Sequence, residues 1–213
     1  AAGRQGRRHG FGLRQFHFHT ADGHSFLRFH APDRFGDPLF DIRPTVRLTN
    51  TQKRTIFGFE IGRVSSGFRY VFPLFREARH LGSVETGITF RSISEAMAEI
   101  DPGREYLLVL QRSVVHRNLF EEQRSLYDTS PLHVDFLVED PLLRLPGSPP
   151  PLSATVQMLN ARLKADPRVL QGMPAGRPFS LAVTTGSGDF AVSFEPIKDI
   201  LGGSQVMFAA TGV

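Results

Sequence analysis

Apolar and polar residues alternate with a period of two through several short runs of the N-terminal half, the pattern of half-buried strands. Residues 13–20 and 25–30 are two such runs, separated by Asp22-Gly23, a strong hairpin-turn pair. Pro32, Gly36 and Pro38 then interrupt regular structure, and residues 44–53 read as a short helix with Pro44 in its first turn. Three more strands are expected at 55–62, 67–74 and 80–89, with turns at Ser65-Ser66-Gly67 and Glu77-Ala78. A helix over 92–100 follows. Ser92 and Glu95 have capping-box spacing, Ile93, Met97 and Ile100 share a face, and Pro102-Gly103 ends it.

Beyond residue 103 the pattern varies. A strand is expected at 106–111, and an amphipathic helix over 113–127 with Val115, Leu119 and Leu126 aligned. Leu145-Pro146-Gly147-Ser148 and the three prolines after it read as an extended connector. Ser153 caps a helix over 154–165 with Val156, Leu159 and Leu163 on one face. Strands at 179–185, 189–196 and 204–211 close a sheet, with Gly186-Ser187-Gly188 and Gly202-Gly203 in its turns. This order predicts an α+β fold of two PAS-like modules in tandem, each an antiparallel sheet with flanking helices. The first spans residues 1–103, and a smaller second one spans 104–213.

Alternation also sorts the first sheet into two unlike faces. Phe16 and Phe18 oppose Gln15, His17 and His19; Leu27 and Phe29 oppose Phe26, Arg28 and His30. Phe57, Phe59 and Ile61 oppose Glu60; Phe68, Tyr70 and Phe72 oppose Arg69 and Val71; Val84 and Ile88 oppose Ser83 and Glu85. Arg28, His30, Glu60, Arg69, Glu85 and His17 therefore gather on one side. Such a face suits three arrangements: solvated surface pairs, a covered layer of internal Arg–Glu pairs, or a pocket in which Arg and His grip a small acid.

Composition narrows the function. With 213 residues, 40% hydrophobic and 22% charged, the chain can bury a real core. No run approaches the length of a membrane span, and nothing reads as a signal peptide. The sequence opens AAGRQGRRHG without Met, which reads as a piece of something longer. Cysteine is absent, so disulfides, thiolate metal sites and Cys nucleophiles are excluded. The net charge of +4 is spread along the chain. Its one cluster, Arg4, Arg7, Arg8 and His9, reads as a solvated helix end or tail, and no basic, aromatic-studded element points to nucleic acid.

Catalytic patterns are also missing. There is neither a G-x-S-x-G elbow nor a P-loop, and the glycines of Thr184 to Phe190 sit between strands. The 19 Phe residues, with no Trp, point to core packing and not to a cofactor box. His17 and His19 form an H-x-H pair that could ligate zinc with Glu60 or Glu85 as third ligand, which keeps a metal-dependent enzyme as an alternative. The plainer account makes them ordinary half-buried strand residues. Neither a catalytic residue, a cofactor nor a metal is assigned.

The run HFHTADGHSFLRFHAPDRFGDP, followed by GFEIGRVSSGFRYVFPLF and HLGSVETG, resembles the double Cache, or PDC-like, family of bacterial sensor domains. The resemblance covers about Phe16 to Glu139, and more weakly GRPFSLAVTTGSGDFAVSFEPIKDILG. It implies a periplasmic sensing module, not an enzyme, tethered by transmembrane helices in a chemoreceptor, histidine kinase or diguanylate cyclase. It also implies a long N-terminal helix against both modules, of which only AAGRQGRRHG is present. The implied partner is a small carboxylate or amino-acid-like ligand in the membrane-distal first module. The matching positions are Arg28, His30, Arg69 and Tyr70, with Glu60 and Glu85 beside them. Asp37 and Arg43 lie in the segment that would cover the pocket. Simple alternation puts Tyr70 on the opposite face unless the strand twists or bulges. Asp37 is expected to brace the Phe35-Gly36 turn, and Arg43 is open to pairing with Asp41 or Asp37. A homodimer is compatible with this reading, and a ligand-free dimerisation or coupling domain is the third alternative.

Overall fold

The computed structural model describes residues 13–29, 31–63, 66–139 and 152–212. His30, the N-terminal basic cluster and the proline connector lie outside these residues. Two antiparallel sheets follow one another along the chain, as the α+β reading requires.

The first sheet has five strands in the order β2-β1-β5-β4-β3. Its strands are β1 (Leu13–Thr20), β2 (Ser25–Arg28), β3 (Ile56–Ile61), β4 (Ser66–Arg76) and β5 (Arg79–Ile88). Gly23, with φ of 83°, makes the Asp22-Gly23 turn, and Glu77, with φ of 56°, makes the β4–β5 turn. The hairpin β1–β2 departs from simple alternation. A register shift pairs His19 with Ser25 and His17 with Arg28, so β2 carries one extra residue. Ser25 consequently joins Arg28 on the inner face, and Phe26 turns outward to solvent.

Helix α1 (Pro44–Gln52) covers the inner face of β3, β4 and β5, burying Thr45, Val46, Thr49 and Asn50. Pro44 occupies the first turn, where its missing N–H costs nothing. The outer face is aromatic. Registers line up Phe57, Tyr70, Thr86 and Phe16 in one cross-strand row, and Phe72, Val84, Phe18 and Leu27 in the next.

Helix α2 (Phe90–Ile100) leads to the second sheet, and its true cap is Thr89, whose Oγ1 accepts from the Ser92 backbone N–H. The second sheet has six strands, ordered β7-β8-β6-β11-β10-β9, against the smaller sheet expected. The extra strands are β7 (Tyr127–Thr129) and β8 (Phe136–Glu139), short segments with too little alternation to be read. The other strands are β6 (Arg104–Gln111), β9 (Phe179–Thr185), β10 (Gly188–Lys198) and β11 (Ser204–Gly212).

The expected helix over 113–127 is two pieces, α3 (Arg112–Asn118) and α4 (Glu121–Arg124). The break falls where the Phe120 backbone N–H donates to Arg63 O at 3.0 Å and the Arg63 guanidinium lies over the Phe120 ring. After α5 (Ala154–Leu163), a further helix α6 (Pro167–Ala175) was not expected. Its signal is local: Asp166 caps it and Pro167 opens it.

Strand β6 is central and buried on both sides, which explains its unbroken apolar run. Leu107 and Val109 join Val156, Leu159, Leu163, Val169, Met173 and Phe194 in the core of the second unit. Leu108 and Leu110 join Phe59, Ile61, Phe90, Val115 and Leu119 in a second core that bridges the two sheets. The Ile200 backbone N–H donates to Phe59 O at 3.1 Å across the same junction. Among the described residues, no helix is long and apolar enough to cross a membrane.

One backbone position tests this register. Gly82 has φ of +144°, and a Cβ there would lie 2.0 Å from the His19 carbonyl oxygen on β1. Gly82→Ala is expected to lower stability by about 1–3 kcal/mol from backbone strain alone. The check is the urea midpoint, which should fall with an unchanged m-value.

Candidate polar site under the first helix

The inner face of the first sheet is a buried polar layer. His17 and His19 on β1, Glu60 on β3, Arg69 on β4 and Glu85 on β5 are all buried, and Arg43, just before α1, closes them from above. The period-two register does the gathering: His17 pairs with Glu85, His19 with Ser83, and Val71 with Glu85.

Arg43 is the hub. Its Nε donates to Glu60 Oε1, and its Nη2 donates to Glu85 Oε2 at 2.6 Å. Arg43 occupies the N-cap position of α1 without capping it. Glu60 supplies that function from the sheet, as its Oε2 accepts from Thr45 N–H at 2.9 Å and Thr45 Oγ1 at 2.8 Å. A carboxylate at a helix N-terminus is favoured by the unsatisfied N–H groups and by the helix dipole. Arg69 Nη1 stands 3.5 Å from Glu85 Oε1. Two guanidinium groups thus share one carboxylate, and Glu60 and Glu85 together balance Arg43 and Arg69 in charge.

The histidines complete the layer. His17 Nε2 bonds Ser25 Oγ at 2.9 Å, and His19 Nδ1 bonds Ser83 Oγ at 2.9 Å. Their rings touch edge to face at 4.2 Å between centroids. Burial, with His19 close by, pulls the His17 pKa from 6.5 to about 2. Burial, with Arg43 and Arg28 nearby, drives His19 well below 6.5. Both rings are therefore neutral near pH 7. Burial alone would raise Glu85, but Arg43 and Arg69 outweigh it and hold the carboxyl below its usual range.

Of the residues expected to hold a ligand, Glu60, Arg69, Glu85 and Arg43 come together. Arg28 lies on the same face but pairs elsewhere. It grips Asp37 through two bonds of 2.6 and 2.7 Å and also donates to Arg34 O at 2.6 Å. Strands β1 and β5 intervene between β2 and β4. Across the sheet that separates the Arg28 and Arg69 backbones by roughly 14 Å at normal strand spacing, and the register offsets them by two further residues along the strands. Asp37 accordingly pairs with Arg28 instead of bracing the Phe35-Gly36 turn, and Arg43 pairs with neither Asp37 nor Asp41. Tyr70 sits on the outer face, stacked on Phe57 at 5.9 Å, with no bulge to bring it inward. His30 lies outside the described residues. The sequence reading missed Ser25, Thr45 and Ser83, and set His19 aside as an ordinary strand residue. The H-x-H alternation opposite Glu85 was the available signal.

A family model described as "double sensory domain of two-component sensor kinase" matches residues 5–135. No curated protein matches the chain in sequence. Among solved structures, an extracellular ligand binding receptor from Desulfohalobium retbaense is similar at 12% identity and a TM-score of 0.43, over 94% of this chain and 30% of that one. The sensor domain of the V. cholerae histidine kinase DctB is similar at 14% identity and a TM-score of 0.43, over 94% and 72%. The ligand-binding domain of the Pseudomonas fluorescens chemoreceptor CtaA, in complex with L-serine, is similar at 11% and 0.40, over 94% and 73%. The chain thus spans less than a third of the Desulfohalobium receptor.

Two outcomes follow from the buried charges. Glu60→Gln removes one partner of a buried ion pair, and urea unfolding is expected to show a loss of about 3–5 kcal/mol. The second concerns pH. The unfolded chain binds protons at its histidines below about pH 6.5, whereas folded His17 stays neutral down to about pH 2 and folded His19 also resists protonation. Stability therefore falls with acid from about pH 6.5, at about 1.4 kcal/mol per pH unit for each histidine. Glu85, depressed in the fold, adds a further loss as pH drops through the carboxylate range. Urea unfolding with chelator present at pH 7.5, 6 and 5 checks this, and His17→Gln should flatten the slope by about half.

Proposed function

The chain belongs to the family of double sensory domains of two-component sensor kinases, and from that premise we propose that the buried polar layer under α1 is its sensing site. The family is sensory and not catalytic. The ligand class proposed is a small carboxylate or amino acid. The observation that carries the reading is that Arg43 and Arg69 converge on the single carboxylate of Glu85 beneath a cover attached to the sheet largely through polar side chains. An incoming carboxylate can take the place of Glu85 on either guanidinium, since Arg offers parallel donors in a planar fork. A zwitterionic amino acid would add no net charge to this balanced layer, since its ammonium could take up the carboxylate that its own carboxylate displaces.

Such an exchange would loosen or re-seat α1 and the loop held by Arg28 and Asp37. Strand β3 is the proposed route onward. Glu60 faces the site, while Phe59 and Ile61, its chain neighbours, face the core that bridges the two sheets. A ligand that binds one seating of α1 better than the other would bias that junction. In this reading residues 1–103 form the membrane-distal module and 104–213 the membrane-proximal one. The domain would stand in the periplasm, tethered to the inner membrane by segments outside this sequence.

A thermal-shift screen of L-amino acids and small carboxylates tests the reading. A ligand at a hundred times its Kd should add about 2.7 kcal/mol of stability and raise the melting temperature by several degrees. Arg69→Ala should abolish that rise while the circular dichroism of the fold persists. A shift of undiminished size in that variant removes Arg69 from the site.

A further inference from the structure

We propose that His17, His19 and Glu85 form a binding site for one divalent transition-metal ion of the zinc class. The three residues can each present a donor atom within 4.8 Å of the other two, and all three are buried. Each also carries one buried atom without a hydrogen-bond partner: Nδ1 of His17, Nε2 of His19 and Oε1 of Glu85. Buried polar atoms are ordinarily satisfied, so three of them on three adjoining side chains call for a common partner. All three can be electron-pair donors, which suits a shared metal cation.

The atoms around the triad are arranged as support for ligands. Ser25 Oγ holds the other nitrogen of His17, and Ser83 Oγ holds the other nitrogen of His19. When each hydroxyl accepts the ring N–H, a lone pair is left on His17 Nδ1 and on His19 Nε2. Arg43 grips Oε2 of Glu85, which also lies 3.6 Å from His19 Nε2, while Oε1 has only the longer 3.5 Å contact with Arg69, so a metal on Oε1 would share that oxygen with Arg69. Two neutral imidazoles and one carboxylate are a nitrogen- and oxygen-donor set that suits Zn²⁺ bound by three protein ligands, with a fourth position open. Mg²⁺ and Ca²⁺ prefer sites made of oxygen alone.

The charges nearby set a further condition. Arg43 and Arg69 are balanced by Glu60 and Glu85, so a divalent ion leaves two positive charges in excess. A monovalent anion at the open position offsets one of them and a dianion both, and the bound metal would favour small carboxylates over neutral molecules. The metal site goes beyond the sensing reading and does not require it.

The experiment uses protein purified without a His tag and stripped with EDTA. Zn²⁺ is titrated in competition with a chromophoric chelator. The expected result is one equivalent of zinc per chain, with affinity lowered at least tenfold in both His17→Gln and His19→Gln. His24→Gln, in the exposed turn beside Asp22, should bind like the parent protein. Absence of stoichiometric zinc, or unchanged affinity in the His17 and His19 variants, overturns the proposal. If those variants do not fold, the Co²⁺-loaded parent protein decides. Intense visible bands of a four- or five-coordinate ion support the site, and the weak spectrum of an octahedral, aquated ion overturns it. Zinc alone is the probe, so a failed amino-acid screen leaves this result standing, and absent zinc does not alter what the amino-acid screen shows.

Discussion

The fold of the N-terminal unit depends on one buried guanidinium. Arg43 arrives at the start of α1 with full charge, and burial of that charge is tolerable only because Glu60 and Glu85 receive it from two different strands. The strands are not neighbours, because β4 lies between them. A single side chain thereby fixes α1 over the sheet along one axis, and Glu60 fixes the helix end along another through Thr45. A packed apolar interface of similar volume could hold the helix as firmly. What the ionic version adds is exchangeability: its partners are the chemical groups that a small acid also offers.

Exchangeability matters only if it is felt elsewhere, and the strand geometry supplies the connection. Alternation along β3 sends Glu60 to the polar layer and Phe59 and Ile61 to the bridging core. Any shift of Glu60 moves atoms one peptide away from the junction with the second sheet. Strand β6 has the same double character within the second unit, with Leu107 and Val109 facing one core and Leu108 and Leu110 the other. Two strands, each buried on both faces at these positions, thus link the polar layer to both hydrophobic cores without a flexible connector between them.

Most of the first sheet was legible because alternation with period two is a property of the backbone, and it put Glu60, Arg69, Glu85 and His17 on one face correctly. The hairpin turn at Gly23 and the helix begun by Pro44 were legible for equally local reasons. What was not legible depends on distance or on one extra residue. The register shift in β2 brings Ser25 inward and turns Phe26 out, and nothing in SFLR announces it. The partners of Arg43 and Arg28 are set by how residues 31–43 fold back over the sheet, so nearby acids such as Asp41 misled. The break at Phe120 is tertiary, made by the carbonyl of Arg63. Helix α6 is the exception, since Asp166-Pro167 is a local start signal that was present and went unused.

The first sheet also inverts the usual rule of burial. Its charged face is the one shut away from water, and its aromatic face is partly open, with Phe57 68% exposed and Phe16, Tyr70 and Phe72 close to 40%. The two cross-strand rows make these residues contiguous, unlike scattered exposed side chains. The inversion follows from the site itself. A sheet has only two faces, and here the ion pairs and histidines occupy the side under α1, so the Phe and Tyr side chains must project from the other. Burying the charges thus fixes where the unit is left apolar, and one alternation along the strands builds both faces.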